Sequence, residues 1–135
     1  MPKFRTSEKI TKAKISIHHR QQILLMGSCF AQNIGERLMQ HKFSILSNPF
    51  GILYNPISIQ EGLKLLLDGK KITADALFYH NDLWQSFQHH SQFSNPNKQI
   101  ALTQINESLL NGSALLQKTN RIILTFGTAH VFVYK

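Results

Sequence analysis

Short apolar runs alternate along the chain with longer stretches in which apolar residues recur every three or four positions. Three runs have the length and composition of buried β-strands, at residues 22–26, 43–47 and 121–126. The helical period predicts helices at about residues 30–41, from Pro56 to Gly69, and at residues 98–118. Buried strands that alternate with amphipathic helices predict a three-layer α/β domain with a mostly parallel sheet.

Two segments depart from this alternation. Residues 1–20 are a basic lead-in, which we expect to be irregular apart from an edge strand near residues 4–6. Residues 72–97 mix aromatic side chains with histidines and amides, and neither the helical nor the strand period dominates there. We interpret them as an insertion, with short strands near residues 77–79 and 83–88, in a domain that spans residues 21–135.

The turn after the first predicted strand is the strongest candidate for chemistry. Ser28 lies where the strand ends and the helix begins, and the N–H groups of a first helical turn lack intrahelical partners. A hydroxyl there can act as a nucleophile beside donors that stabilise an oxyanion. The alternative is an ordinary helix cap, worth about 1 kcal/mol, and spacing alone favours the cap.

Cys29 is a rival nucleophile. A thiol near a helix N-terminus can have its pKa lowered and react as the thiolate. The alternative is a small buried apolar residue that packs behind the turn, and we favour this buried role because Cys29 is a lone cysteine followed by Phe30.

Gly27-Ser28-Cys29-Phe30-Ala31 spells the motif of the GSCFA family, and residues 48–56, 89–91 and 124–128 resemble later blocks of that family in the same order. The family resembles the SGNH (GDSL-like) hydrolases, which have a flavodoxin-like α/β fold and a serine nucleophile. The resemblance implies that Ser28 attacks an acyl group in an ester hydrolase or acyltransferase, with an acylated saccharide or a lipid-like alcohol as substrate. The alternative is a non-catalytic ligand-binding domain that keeps the fold.

The resemblance also implies an oxyanion hole, to which Ser28 contributes its own backbone N–H. Gly51 follows the second strand, as the glycine of the second SGNH block does, although it can equally be the positive-φ residue of a turn. The segment from Gly127 to His130 resembles the third block, Gly-x-Asn-Asp, but Ala129 stands where the asparagine donor is expected. Gly127, Thr128 and His130 are therefore the remaining oxyanion candidates of this block.

The general base of SGNH enzymes comes from an Asp-x-x-His block near the carboxyl end, and this sequence contains no such block. The resemblance therefore implies an amino-terminal part of a longer fold, with an incomplete sheet. Without a base for Ser28, we expect these 135 residues to be inactive by themselves.

Five further side chains are candidates for substrate binding. Asn48 and Asn55 are turn residues that could also supply amides to the site, whereas Trp84, His89 and His90 come from the insertion. The insertion's aromatic residues could form a lid or a sugar platform, and a small separate core is the alternative. The histidines show no carboxylate–histidine spacing of a known metal site, so we assign no metal and no cofactor.

Composition limits the partners. One cysteine excludes an internal disulfide framework, and no apolar run is long enough for a signal sequence or a membrane span, which favours a cytoplasmic protein. The net charge is +8, but Phe4 is the one aromatic residue among the basic residues of the lead-in. We therefore expect a solvated leader rather than a nucleic-acid arm.

A small-molecule or saccharide ester is the expected partner, and an exposed sheet edge could promote self-association.

Overall fold

The computed structural model describes residues 7–131 and 133. Every predicted helix and strand that falls in these residues is present, whereas the predicted edge strand at residues 4–6 lies outside them. In chain order the elements are β1 (Gln22–Gly27), α1 (Cys29–Gln40), β2 (Ser44–Ser47), α2 (Pro56–Asp68), β3 (Phe78–His80), β4 (Leu83–Gln85), α3 (Lys98–Leu116) and β5 (Arg121–Thr125).

The main sheet has the strand order β2-β1-β5, and both pairings are parallel. In its register Leu24 pairs with Leu46 on one side and with Ile122 on the other, and Gly27 pairs with Thr125. Parallel neighbours place their carboxyl ends at the same edge of the sheet, so the residues that follow β1, β2 and β5 lie at one edge. The predicted α/β class with a mostly parallel sheet is confirmed.

Two apolar clusters cover the two faces of β1. Ile23 and Leu25 pack with Ala31 of α1, whereas Leu24 and Met26 join the cluster that α2 and α3 supply. Because successive strand residues point to opposite faces, a strand with both sets buried must lie between two layers. The apolar run in β1 therefore produces the helix–sheet–helix arrangement that was predicted.

The boundaries of α2 follow from its flanking residues. The Asn55 side chain accepts a hydrogen bond of 2.8 Å from the Ser58 N–H, and Pro56 occupies the first helical position. Gly69 ends the helix in the left-handed region with φ of +60°. Pro56 thus begins the helix and Gly69 ends it, as the sequence predicted.

Residues 72–97, whose role as an insertion stays a prediction, contain an antiparallel pair, β3–β4, and two short 3-10 helices at Ala74–Ala76 and Ser91–Phe93. Their apolar side chains pack against Ala101 and Ile105 of α3, in a cluster that includes Leu77 and Trp84. The predicted strands are present, although β4 ends at Gln85 because the chain turns there and the Ser86 carbonyl accepts the His89 N–H.

Residues 7–20 contain no helix or strand and are mostly exposed. Ile17 packs against the α1-side cluster, and the His19 ring stacks on Phe43 with centroids 4.0 Å apart. None of the helices in the described part of the chain has the length and hydropathy needed to cross a membrane.

One edge of the sheet is formed by β5, and Ile122, Leu124 and Phe126 are exposed there. Leu124 and Phe126 line an open apolar groove of about 300 Å³ together with side chains of α2, which include Leu63 and Leu67.

Candidate functional site

Ser28 joins β1 to α1 and occupies the N-cap position of α1, with extended dihedral angles of φ −68° and ψ 176°. Its hydroxyl makes no cap hydrogen bond to the helix. Instead Oγ lies 3.0 Å from Oγ1 of Thr125, the last residue of β5. Ser28 is 7% exposed, so the hydroxyl lies just below the surface at the carboxyl edge of the sheet.

Thr125 also binds the backbone of Ser28. Both its carbonyl oxygen and its Oγ1 accept the Ser28 N–H, each at 3.1 Å. This approach depends on Gly27, whose φ is +139°: a Cβ added there would lie 1.9 Å from the Thr125 carbonyl oxygen. A side chain at position 27 would therefore separate β1 from β5 next to Ser28.

Asn48 holds the same turn from the β2 side. Its Oδ1 accepts the Gly27 N–H at 2.8 Å, and its own N–H donates to the Leu25 carbonyl at 2.8 Å. Its Nδ2 donates to Oε1 of Gln32 at 3.2 Å, and the residue is 5% exposed. The Asn48 amide therefore positions the turn that carries Ser28, and its predicted contact with substrate stays a prediction.

The N–H groups predicted to form an oxyanion hole already have acceptors within the chain. The Gly51 N–H donates to the Asn48 carbonyl at 2.8 Å, and the Tyr54 carbonyl accepts both Gly127 N–H at 2.8 Å and Thr128 N–H at 3.2 Å. The His130 N–H donates to Oγ1 of Thr128 at 3.0 Å. The Ser28 N–H is likewise held by Thr125, so in this conformation all of these donors are engaged and their role in stabilising an oxyanion stays a prediction.

The two predicted oxyanion glycines lie in different surroundings. A Cβ added to Gly127 would lie 3.6 Å from Cβ of Ser28, so Gly127 adjoins the candidate nucleophile. Gly51 has φ of +79° and faces His90 of the insertion, where an added Cβ would lie 2.2 Å from Cβ of His90. The turn role that the sequence allowed for Gly51 is thus observed.

Three of the predicted substrate-binding side chains make contacts that stabilise local structure. Asn55 caps α2, and its Nδ2 donates to Oγ of Ser58 at 2.9 Å. Trp84 packs against α3, with Nζ of Lys98 4.2 Å from its ring centroid. His90 accepts the Gln92 N–H at Nδ1 and donates its own N–H to the Phe50 carbonyl. Their binding role stays a prediction.

His89 lies in the core rather than on a surface. Its ring packs edge-on against Phe50 and Phe93, at centroid distances of 4.9 and 5.5 Å. Nδ1 is 2.9 Å from Oγ of Ser86, and Nε2 is buried with no hydrogen-bond partner among the described residues. Burial lowers the His89 pKa to about 4, so the ring is neutral at pH 7.

Cys29 corrects one expectation. The sequence favoured a buried residue behind the turn, but Cys29 is exposed at the first position of α1. The side chain that turns inward at this corner is that of Ser28, because Gly27 redirects the chain immediately before it.

No histidine or carboxylate within residues 7–131 hydrogen-bonds to the Ser28 hydroxyl, whose partner is Thr125. Thr125 itself was not predicted as a site residue. It lies within the apolar run at residues 121–126, and its relation to Ser28 follows from the parallel register across 97 positions of sequence, for which a single chain carries no local signal.

Comparison with known proteins supplies the family. The model of the GSCFA family matches residues 22–135, which covers β1 to β5 and the corner that carries Ser28. No curated protein matches the chain, and no solved structure matches it. Because the family match covers most of the sequence, the chain belongs to the GSCFA family.

Proposed function

We propose that Ser28 is the nucleophile of a serine-dependent ester hydrolase or acyltransferase of the SGNH type. The observation that carries this proposal is that the Ser28 hydroxyl occupies a helix N-cap position without capping the helix. An N-cap serine ordinarily uses its oxygen to accept an N–H of the first turn. A hydroxyl that is held away from this role by Thr125 keeps its oxygen available for another reaction.

In the proposed reaction, Oγ of Ser28 attacks the carbonyl carbon of an ester, and the hydroxyl proton passes to a general base. The carbonyl oxygen then carries negative charge, and its collapse breaks the bond to the alcohol, which leaves with a proton. Water or a second alcohol removes the acyl group from Ser28. The base is the imidazole of the Asp-x-x-His block that the SGNH resemblance implies, which these residues lack.

Stabilisation of the oxyanion requires that a backbone N–H near Ser28 be released from its present acceptor. The Tyr54 carbonyl accepts the N–H groups of Gly127 and Thr128, so it must turn away before either N–H can bind an oxyanion. Gly127 adjoins Ser28, so we propose that its N–H binds the oxyanion once the Tyr54 carbonyl has turned away. An acylated saccharide or a lipid-like alcohol remains the proposed substrate class.

A fluorophosphonate probe tests the nucleophile, since such probes phosphonylate activated serines. The probe and p-nitrophenyl acetate are applied to the 135-residue chain and, in parallel, to the longest open reading frame that contains it. We expect one adduct on Ser28 and ester hydrolysis in the protein that has the base. Ser28→Ala should lower turnover by at least about 10³-fold.

Ser44→Ala is the matched control. Ser44 is the first residue of β2, so it lies at the amino-terminal ends of the strands, away from Ser28. Its hydroxyl donates to Oε1 of Gln22 there. This variant should keep both labelling and turnover. Turnover that persists in Ser28→Ala, or labelling at another serine, would remove Ser28 from the mechanism.

The second candidate is a non-catalytic ligand-binding domain. It is favoured by the engaged N–H groups of Gly51, Gly127 and Thr128 and by the lack of a base beside Ser28 among the described residues. A ligand that raises the melting temperature without being hydrolysed would support this candidate. A cytoplasmic location, the lack of nucleic-acid binding and a reaction without cofactor or metal also stay predictions.

A further inference from the structure

We propose that Thr125 is a positioning residue that holds the Ser28 hydroxyl out of the helix-cap position and presents it for reaction; this inference rests on the proposed nucleophilic role of Ser28. The alternative position of the hydroxyl is defined by α1 itself. Phe30 and Ala31 are the second and third residues of the helix, and their N–H groups are the usual partners of an N-cap oxygen. Thr125 and these N–H groups therefore compete for one side chain.

The other two α-helices of the described residues show what a cap side chain does here when no strand hydroxyl lies beside it. Asn55 accepts the Ser58 N–H at the start of α2, and Asn97 accepts the Gln99 and Ile100 N–H groups at the start of α3. Ser28 has the same extended cap backbone, but its oxygen pairs with Oγ1 of Thr125. The difference therefore lies in the neighbouring strand, since β5 places a hydroxyl 3.0 Å from Oγ.

Either hydroxyl could donate in the contact between Ser28 and Thr125, and we assign Thr125 as the donor. A threonine hydroxyl has one hydrogen to donate and two lone pairs. Oγ1 of Thr125 already accepts the Ser28 N–H, and Ser28 is its hydrogen-bond partner in the described part of the chain. If Thr125 donates to Oγ of Ser28, its hydrogen is satisfied and the Ser28 proton is free to pass to a base. The same donation stabilises the oxygen as that proton leaves.

Gly27 and the strand register make this contact specific to position 125. Gly27 pairs with Thr125, and its lack of a side chain lets the two strands approach closely enough for Oγ1 to reach Ser28. Thr125 is half-buried, and its hydroxyl contacts both the N–H and the hydroxyl of Ser28. A valine there keeps the branched shape and removes the hydroxyl.

The experiment compares the wild type with Thr125→Val and Thr125→Ser by two measurements. NMR gives the χ1 angle of Ser28 and the amide proton shifts of Phe30 and Ala31, with the capped amides of Ser58 and Ile100 as internal controls. In Thr125→Val we expect a change in χ1 and a downfield shift at Phe30 or Ala31 as Ser28 caps the helix. Fluorophosphonate labelling of Ser28, measured in the longer reading frame that has the base, should slow by about 10²-fold, and Thr125→Ser should restore both properties.

Each outcome decides the proposal. Unchanged χ1 and amide shifts in Thr125→Val would overturn it, as would unchanged labelling or a Thr125→Ser variant that resembles Thr125→Val. A wild type that has the base and never labels contradicts the proposed function, while the NMR comparison still decides whether Thr125 positions Ser28. If Thr125→Val fails to fold, the wild-type χ1 alone is decisive, since a capping rotamer of Ser28 contradicts the proposal.

Discussion

At the scale of single residues, the burial of His89 makes the stability of the fold depend on pH. The ring lies between Phe50 and Phe93, and burial lowers its pKa from 6.5 to about 4. In the unfolded chain the imidazole regains a pKa near 6.5, so between these values the unfolded state binds one more proton than the folded state. The stability that the neutral ring contributes is therefore complete above pH 6.5 and is lost progressively down to about pH 4.

We predict that the free energy of unfolding falls by up to about 3 kcal/mol between pH 6.5 and pH 4 because of His89. Denaturant titrations at several pH values measure this slope. In His89→Leu the slope should flatten, and Oγ of Ser86 keeps the Gln88 N–H as a partner. The exposed His80→Leu is the control and should retain the wild-type slope. Equal slopes in wild type and His89→Leu would contradict the prediction.

The residues of the corner show which parts of the site the sequence could predict. Ser28 was predicted because the apolar run, the glycine and the helical period are all local features. The orientation of Ser28 and Cys29 was not, since it depends on the φ of +139° at Gly27. At that angle Gly27 lies against the Thr125 carbonyl, a contact between residues 98 positions apart in the sequence. The burial of Ser28 and the exposure of Cys29 therefore depend on tertiary contacts that the local sequence does not indicate.

At the scale of elements, the helix boundaries could be predicted because they depend on neighbouring residues. Pro56 and Gly69 bracket α2, and both act through backbone preferences that hold in any fold. The insertion was harder, since its short strands have no dominant period. The packing that orders it comes from α3, through Ala101 and Ile105.

The helix caps give a prediction that separates a structural serine from a reactive one. Asn97 accepts two N–H groups of α3, at 2.9 and 3.2 Å, whereas the Ser28 hydroxyl makes no cap bond to α1. Asn97→Ala should therefore move the amide proton shifts of Gln99 and Ile100 upfield, whereas Ser28→Ala should leave those of Phe30 and Ala31 in place. Both variants should lower the free energy of unfolding by about 1 kcal/mol, because Asn97→Ala loses a cap and Ser28→Ala loses the hydrogen bond to Thr125. NMR and chemical denaturation measure these changes. An upfield shift at Phe30 or Ala31 in Ser28→Ala would show that Ser28 serves as an ordinary cap.

At the scale of the whole molecule, the three-layer arrangement could be predicted from β1 alone, since a continuous apolar strand needs cover on both faces. The strand order could not, because pairing of β1 with β5 joins segments from opposite ends of the described chain. This pairing brings Gly127 and Thr125 to Ser28 and leaves β5 at the edge of the sheet. The pairing of β5 with β1 thus determines both the candidate site around Ser28 and the exposed outer strand.

Because β5 is an exposed outer strand of the sheet, we predict that copies of the chain associate through it. An edge strand offers unpaired backbone groups to another chain, and the apolar groove beside Leu124 and Phe126 adds surface that association would remove from water. Sedimentation should then show a mass that increases with protein concentration. A charged residue on the edge opposes such pairing, so Ile122→Lys should shift the protein towards the monomer.

Ile100→Lys on α3 is a closely matched control, because Ile122 is 49% exposed and Ile100 is 47% exposed. Both variants add one positive charge to a chain whose net charge is already +8, so general charge repulsion affects them equally. A difference between them must therefore come from the position of the lysine on the edge of the sheet. A wild type that stays monomeric at all concentrations, or equal masses for the two variants, would contradict association through β5.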